Sequence, residues 1–400
     1  MIRDVIFGSL ALLSLGLWLW QWFVARRFPL HQRIAAHSFP PAVTLLKPLK
    51  GCEPATRDCL RSWFAQEYTG RVQILFGVAA ADDPVCEVVR SLQQEFHNID
   101  STLMICDPLL GANAKVSKLI QLEQEAKHEL LIISDADVQV APDFLENLIS
   151  PLLVSQKQQT PTLGNSGHTE EKSCGLVNCF YRLKNPTTVA MQWEAICINA
   201  DFWSQVLQSR SLKRLDFALG AVMATHRARL KEIGGFTVLA DCLADDYQLG
   251  HRIARLGYKI ELSTVVADCL APPMDWRKVW THQLRWARTI RVCQPAPYFF
   301  SILGNPTLWP LVWLLVHLTP LTAGIGIGSS VLRIIGALDL QQRLTQSRKH
   351  FPYWWLAPVK DLLQTVLWLL AFTGNHIEWR GQRLRLRWDG TLEKNRTGVT

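Results

Sequence analysis

The chain has no Cys-x-x-Cys pair. Its ten cysteines, at positions 52, 59, 86, 106, 174, 179, 197, 242, 269 and 293, also form no Cys/His cluster with zinc-ligand spacing. That speaks against a metal finger or a disulfide framework and for reduced, mostly buried thiols in a cytosolic compartment. Glycine-rich phosphate cradles are missing too. There is no G-x-x-x-x-G-K-[ST] and no G-x-G-x-x-G after a strand, so a P-loop or dinucleotide-binding fold has little support. Acidic residues are in the minority, 34 against 42 Lys and Arg. The resulting net charge of +8 suits anionic headgroups, phosphorylated substrates or nucleic acid, and composition does not choose among them. Apolar surface, by contrast, is plentiful: 48% of the 400 residues are hydrophobic, 16 of them Trp. The balance predicts a chain part soluble and part embedded in a bilayer.

The first apolar run, "VIFGSLALLSLGLWLWQWFV" from Val5 to Val24, is long enough to span a hydrocarbon core of about 30 Å. It leads into Arg26, Arg27 and Arg33 rather than a small-residue cleavage site. It therefore reads as a transmembrane anchor (residues 1–27) whose basic flank puts the downstream chain in the cytoplasm. Residues 305–373 form a second membrane region with two apolar stretches, 308–338 and 353–372. The first is too long for one simple span and carries Pro310, Pro320 and Arg333, which predicts a broken or re-entrant element. Basic residues lie both between the stretches (Arg343, Arg348, Lys349) and after them (Arg380, Arg383, Arg385, Arg387). A cytoplasmic basic tail over 374–400 is the favoured topology, with the middle left open.

Between these regions, residues 40–275 alternate strand and helix patterns. "AVTLLKPLKG" (42–51), "RVQILFGVAA" (71–80), "STLMICD" (101–107) and "ELLIISDADVQV" (129–140) are short apolar runs. "TRDCLRSWFAQEY" (56–68) and "NAKVSKLIQLEQEA" (113–126) have helical spacing. The fold class is α/β, with a mainly parallel sheet covered by helices. Ligands of such sheets bind beyond the carboxyl ends of the strands, which draws attention to Asp82, Asp83, Asp135 and Asp137. In "LLIISDADV" the period of two places Asp135 and Asp137 on one side of an extended chain, where a divalent cation carrying a diphosphate would relieve their repulsion. The plainer alternative is an Asx-type turn. A second acidic pair, Asp245 and Asp246, opens "LADDYQLGHRIARLGYKIELS", and acidic residues at a helix start are also explained by capping and the helix dipole.

Six stretches, in order, resemble the ceramide glucosyltransferase family, glycosyltransferase family 21: "LLKPLKGCEPA" (45–55), "ADDPVCEVV" (81–89), "GANAKVSKL" (111–119), "ISDADVQV" (133–140), "LADDYQLG" (243–250) and "HQLRWARTIR" (282–291). The last two are most similar to the bacterial hopanoid branch, the bacteriohopanetetrol glucosamine biosynthesis glycosyltransferases. The resemblance implies a GT-A nucleotide-diphospho-sugar domain and a membrane-bound, inverting hexosyltransferase, multi-pass in the bacterial inner membrane. Its partners would be a UDP-sugar donor, a membrane lipid acceptor and the bilayer, with no nucleic acid. It further implies that Asp83, with Asp82, binds the uridine portion, that Asp135 and Asp137 hold Mg²⁺ or Mn²⁺ on the diphosphate, and that Asp246 is the base, with Asp245 in support. His282, Gln283, Arg285 and Trp286 correspond to the family's Gln- or Arg-x-x-Arg-Trp signature, in a helical interfacial region over 276–300. His282 departs from that signature, because an imidazole does not reproduce an amide or guanidinium. Trp276, Trp280 and Trp286 also fit an interfacial amphipathic helix.

A hopanoid polyol and a ceramide satisfy the requirement for a bilayer-resident hydroxyl equally well. Two rivals remain. A processive polysaccharide synthase needs a channel of more helices than fit here, and a non-catalytic membrane scaffold of the same fold needs no base. The polar stretch 155–175 reads as a loop without an assigned function.

Overall fold

Three runs rich in apolar residues and a fourth that is half polar become the parallel part of a sheet. β1 (Val43–Pro48), β2 (Val72–Val78), β3 (Asp100–Ile105) and β4 (Leu130–Ser134) lie in the order β3-β2-β1-β4. β1 and β4 are buried at every position, as strands covered on both faces must be. The helices Thr56–Phe64, Val85–Glu95 and Ala114–Gln124 connect them and bury one face each, with Leu60, Trp63, Val89 and Leu92 in the same core as Leu45, Ile74, Phe76 and Ile132. Beyond β4 the sheet runs on through β7 (Val222–His226), β6 (Cys174–Leu183), β8 (Lys259–Cys269) and β5 (Val138–Gln139). β7 pairs antiparallel with β4 in a register that sets Val222 opposite Ser134. The start of β7 therefore faces the end of β4, where the D-x-D begins.

The computed structural model describes residues 2–33, 40–157, 173–379 and 382–394. Most of the 155–175 stretch, and the tail beyond 394, lie outside the described residues. The chain divides into two units: Leu30–Tyr181 with Arg214–Pro272, which carries the sheet, and Met1–Pro29 with Arg182–Lys213 and Pro273–Thr400. The soluble domain is therefore not the single run expected over 40–275. Residues 182–213 leave it for the second unit, and the reason is polar as well as apolar. Asp201, on a π-helical turn (Cys197–Phe202), accepts from Arg333 Nη2 at 2.8 Å, and Gln208 Nε2 donates to the Leu17 carbonyl at 2.9 Å.

In the second unit two helices, Ile2–Arg27 and Pro320–Thr345, are long and apolar enough to cross a membrane. The 308–338 stretch is broken as expected, into Leu308–Val316 and the helix beginning at Pro320, whose capping box is built by Thr319 and Thr322. The helices Pro295–Gly304 and Leu308–Val316 meet at a 54° bend. The 353–372 stretch differs from a span: its helix, Leu356–Ala371, has 16 residues and buries Lys360 and Asp361. Those two charges join Arg333 and Asp201 in a buried cluster of two cations and two carboxylates, which is how an arginine is tolerated within an apolar helix. The basic tail folds, over its described part, into an antiparallel three-stranded sheet of β9 (His376–Trp379), β10 (Gln382–Leu386) and β11 (Leu392–Lys394), with Ile377, Leu384 and Leu386 buried.

Candidate active site

Asp135 follows the last residue of β4, where the strand has left the core but its backbone is still held. Its N–H donates to the Ala221 carbonyl at 3.2 Å, and its own carbonyl accepts from Lys47 Nζ at 2.7 Å. Lys47 is fully buried, and burial brings its ammonium down to about 8, so it acts as a backbone clamp under the D-x-D. The Asp135 carboxylate does not close an Asx turn. Its Oδ1 lies 2.8 Å from Lys115 Nζ.

Lys115 is not a residue that the sequence pattern singles out. It sits in the first turn of the helix Ala114–Gln124 because Asn113 caps that helix, accepting from the N–H groups of Lys115 and Val116. The Asn113 amide also donates to the Cys242 carbonyl at 2.8 Å, and Asn113 N–H to the Ala240 carbonyl at 2.8 Å. The cap thus fastens the segment that leads into Asp245 and Asp246. Lys115 Nζ reaches Asp245 Oδ2 at 3.0 Å, so a single buried ammonium bridges the strand-end carboxylate and the acidic pair. Burial alone would lower its pKa, but the charges of Asp135, Asp245 and Asp246 outweigh burial and raise it. It is a permanent cation. The signal available in the sequence was its place in "GANAKVSKL".

Asp245 and Asp246 are the first two residues of the helix Asp245–Arg255, and the capping position is Ala244, whose methyl group cannot accept a hydrogen bond. Neither carboxylate is therefore the N-cap, although both gain from the helix dipole. Asp246 Oδ1 accepts from Tyr247 N–H at 2.8 Å. Burial, then the negative charge of Asp245, push the Asp246 carboxyl up to about 6, against the pull of Lys115. Asp137 is also raised to about 6, by the protein crowded around it and by Asp135, although its carboxylate is open to solvent. Water reaches Asp137 and screens its charge, whereas Asp246 is only partly exposed.

Asp83 lies in the turn between β2 and the helix Val85–Glu95. Both its oxygens accept from Gly51 N–H at 3.0 Å and Oδ1 also accepts from Val85 N–H at 3.1 Å, which ties the turn after β1 to the start of the next helix. Asp82 beside it is exposed. The three aspartate positions Asp83, Asp135 and Asp246 thus belong to one unit. Asp135 and Asp246 are joined through Lys115 and Asp245, whereas Asp83 serves a different turn.

The signature residues belong to the other unit, on the helix Trp276–Cys293. His282 Nδ1 lies 2.5 Å from Glu194 Oε1, and Gln283 Nε2 donates to the same oxygen at 2.9 Å. Glu194 is 1% exposed, and Gln283 is buried with it. The Gln283 amide is thus committed to an internal carboxylate rather than turned outward as a substrate contact, and one His282 nitrogen is committed as well. The His282 ring meets Trp286 edge-on at 5.1 Å, and the Phe202 ring lies 5.6 Å from the same indole. Arg285 lines a groove with Trp280, Leu284 and Arg288. Glu194 carried no motif that would have revealed it in advance.

Among the described residues no group of three or more His, Cys, Asp or Glu could hold a metal ion. Asp135 and Asp137 still fit one, since Mg²⁺ is commonly held by one or two carboxylates plus substrate phosphates and water. Their mutual repulsion, visible in the raised Asp137, is what a divalent cation would relieve.

The sequence pattern of the family described as Glycosyl transferase family 21 matches residues 6–392. Ceramide glucosyltransferase 3 of Caenorhabditis elegans is 20% identical over 377 residues, which cover 92% of this chain and 77% of that protein. The ceramide glucosyltransferase of Candida albicans is 29% identical over 121 residues, 28% of this chain and 22% of that one. Among solved structures, mannosyltransferase PcManGT from Pyrobaculum calidifontis, in complex with GDP-Man and Mn²⁺, is similar with a TM-score of 0.49. Its identity is 18%, over 91% of this chain and 98% of that chain.

Proposed function

The chain belongs to glycosyl transferase family 21 and is a hexosyltransferase on a GT-A fold, and from that premise we propose that it moves a sugar from a UDP-sugar to the hydroxyl of a membrane lipid with inversion at the anomeric carbon. The acceptor we favour is a hopanoid polyol, with N-acetylglucosamine as the sugar, on the form of residues 243–291. A ceramide receiving glucose is the second reading, favoured by the names of the curated relatives. The anchor helix and the C-terminal membrane region keep the site at the bilayer, on its cytoplasmic side.

The observation that carries the reading is the arrangement around Lys115: a strand-end aspartate and an acidic helix start, 2.8 and 3.0 Å from one buried ammonium. Inverting transfer needs a base on the acceptor side and neutralised charge on the departing diphosphate. Asp246, raised to about 6, is ionised at neutral pH yet basic enough to accept the acceptor's hydroxyl proton. Asp245 and Lys115 set the field and the angle at which it works. Mg²⁺ or Mn²⁺ held by Asp135 and Asp137 would supply charge neutralisation on the diphosphate. Asp83 and the exposed Asp82, beyond the end of β2, suit the nucleoside end of the donor. Arg285 is the signature cation for phosphate oxygens, with Trp286 as a wall for sugar or lipid, whereas His282 and Gln283 support that helix through Glu194.

The test is to incubate membranes carrying the protein with radiolabelled UDP-N-acetylglucosamine, UDP-glucose or a GDP-sugar and to extract the lipid. Label from a UDP-sugar is expected, UDP-N-acetylglucosamine foremost. Label from the GDP-sugar alone would sink the reading.

A further inference from the structure

Asp246 occupies space that only a glycine leaves open. A Cβ built on Gly220 would meet Asp246 Oδ2 at 2.6 Å, Cγ at 3.1 Å and Cβ at 3.2 Å. The contact is with the carboxylate itself, and the two chain segments that make it have little room to separate. On one side, Leu219 N–H donates to Asn178 Oδ1 at 3.2 Å, and the Ala221 carbonyl accepts from Asp135 N–H at 3.2 Å. Asn178 is fully buried and is itself held, donating to the Glu261 carbonyl at 3.0 Å. Gly220 is therefore pinned through both neighbours, one of which also fixes Asp135.

On the other side, the helix of Asp246 is drawn against the same segment one turn later. A Cβ on Gly250, four residues on and so on the same face, would run into the backbone nitrogen of Ala218 and come within 2.6 Å of the Phe217 carbonyl carbon. Phe217 stacks on Tyr247 with ring centroids 6.1 Å apart, and His251 Nδ1 lies 3.3 Å from the Asp216 carbonyl oxygen. The helix cannot tilt away at its start without breaking this contact.

We propose that Gly220 is a positioning residue for the transfer reaction: by presenting bare backbone to Asp246 Oδ2 it sets the depth and angle of the base relative to the strand end that carries Asp135. The proposal rests on Asp246 being the base. An added methyl group would displace the carboxylate by about 1 Å, and misplacement on that scale costs a reacting group about 100-fold in rate.

The test uses the full-length protein, with UDP-N-acetylglucosamine or UDP-glucose as donor, whichever labels lipid. Wild type, Gly220→Ala, Asp246→Asn and the double variant are compared for kcat and for donor KM. Gly220→Ala should lose about 100-fold in kcat with donor KM within about threefold of wild type. In the Asp246→Asn background it should add little, because the base it displaces is already disabled. Thermal midpoints give an independent reading: most of what Gly220→Ala loses should be regained in Gly220→Ala/Asp246→Ala, where the contact with the carboxylate is gone and only the 3.2 Å approach to the residue 246 Cβ remains, even if the single variant folds poorly. A wild-type kcat in Gly220→Ala beside an inactive Asp246→Asn overturns the positioning role alone. So do multiplicative losses in the double variant, or a thermal loss that Asp246→Ala does not repair. Full transfer by Asp246→Asn overturns the base assignment, and the role of Gly220 with it.

Discussion

Asp135, Asp137 and Asp246 were legible as individual residues because each ends or begins an element whose periodicity is plain. Lys115 and Gly220 were not, and the reasons differ. Lys115 lies on a helix whose spacing reads as an ordinary amphipathic surface, and only the Asn113 cap and the proximity of two remote carboxylates give it a site. Gly220 carries no side chain to advertise itself, and its importance exists only relative to a carboxylate 26 residues away in "LADDYQLG". The raised pKa of Asp246 has a measurable consequence. The base must be ionised, so kcat/KM should fall as pH drops through about 6, tenfold per unit below it, rather than near the ordinary carboxylate value of 3.8. Saturating metal, by holding Asp137 ionised, keeps that limb to one proton. A profile flat down to pH 5 would contradict the burial and the Asp245 charge as causes.

At the scale of elements, the alternation of apolar runs and helical spacing located β1 to β4 and the helices between them to within a few residues, because β1, β2 and β4 are buried almost throughout, whereas β3, at the sheet edge, has no buried position. The antiparallel continuation through β7 and β6 was not legible, since strands separated by a long helical excursion give no register. Strand ends carry the chemistry here, and the D-x-D after β4 supplies the next prediction. EDTA should abolish transfer and either Mg²⁺ or Mn²⁺ should restore it, measured as lipid label. Full activity in chelator would leave Lys115 as the only cation between Asp135 and the acidic helix. The helix Trp276–Cys293 behaves differently from its sequence pattern. Its His282 and Gln283 satisfy a carboxylate from Val189–Ile196 that no motif announced. Glu194→Ala leaves a buried Gln283 donor unpaired, which costs about 1–3 kcal/mol, and should lower the thermal midpoint accordingly. An unchanged midpoint would mean that the Glu194 contacts contribute nothing to packing that helix.

For the whole molecule, composition separated the α/β run from the apolar ends, and it located the N-terminal helix, which is long and apolar enough to cross a membrane, and the break before Pro320. It did not reveal that residues 182–213 belong with the unit of the two long apolar helices, because their tie is a set of single polar contacts, Asp201 to Arg333 above all, in otherwise ordinary helical sequence. Nor did hydropathy reveal that Leu356–Ala371 buries Lys360 and Asp361, since the ion cluster that holds them is built from separate parts of the chain. The reading of the molecule as a lipid hexosyltransferase comes down to Asp246 acting as the base of a transfer. The decisive measurement is lipid labelling from a UDP-sugar by wild type and by Asp246→Asn in the same membranes, with UDP binding followed by calorimetry on both purified proteins. We expect Asp246→Asn to bind UDP as wild type does and to lose transfer by at least about 100-fold, in line with removal of a general base. Transfer at the wild-type rate by Asp246→Asn would place the base elsewhere and leave the acidic start of that helix with a structural role only.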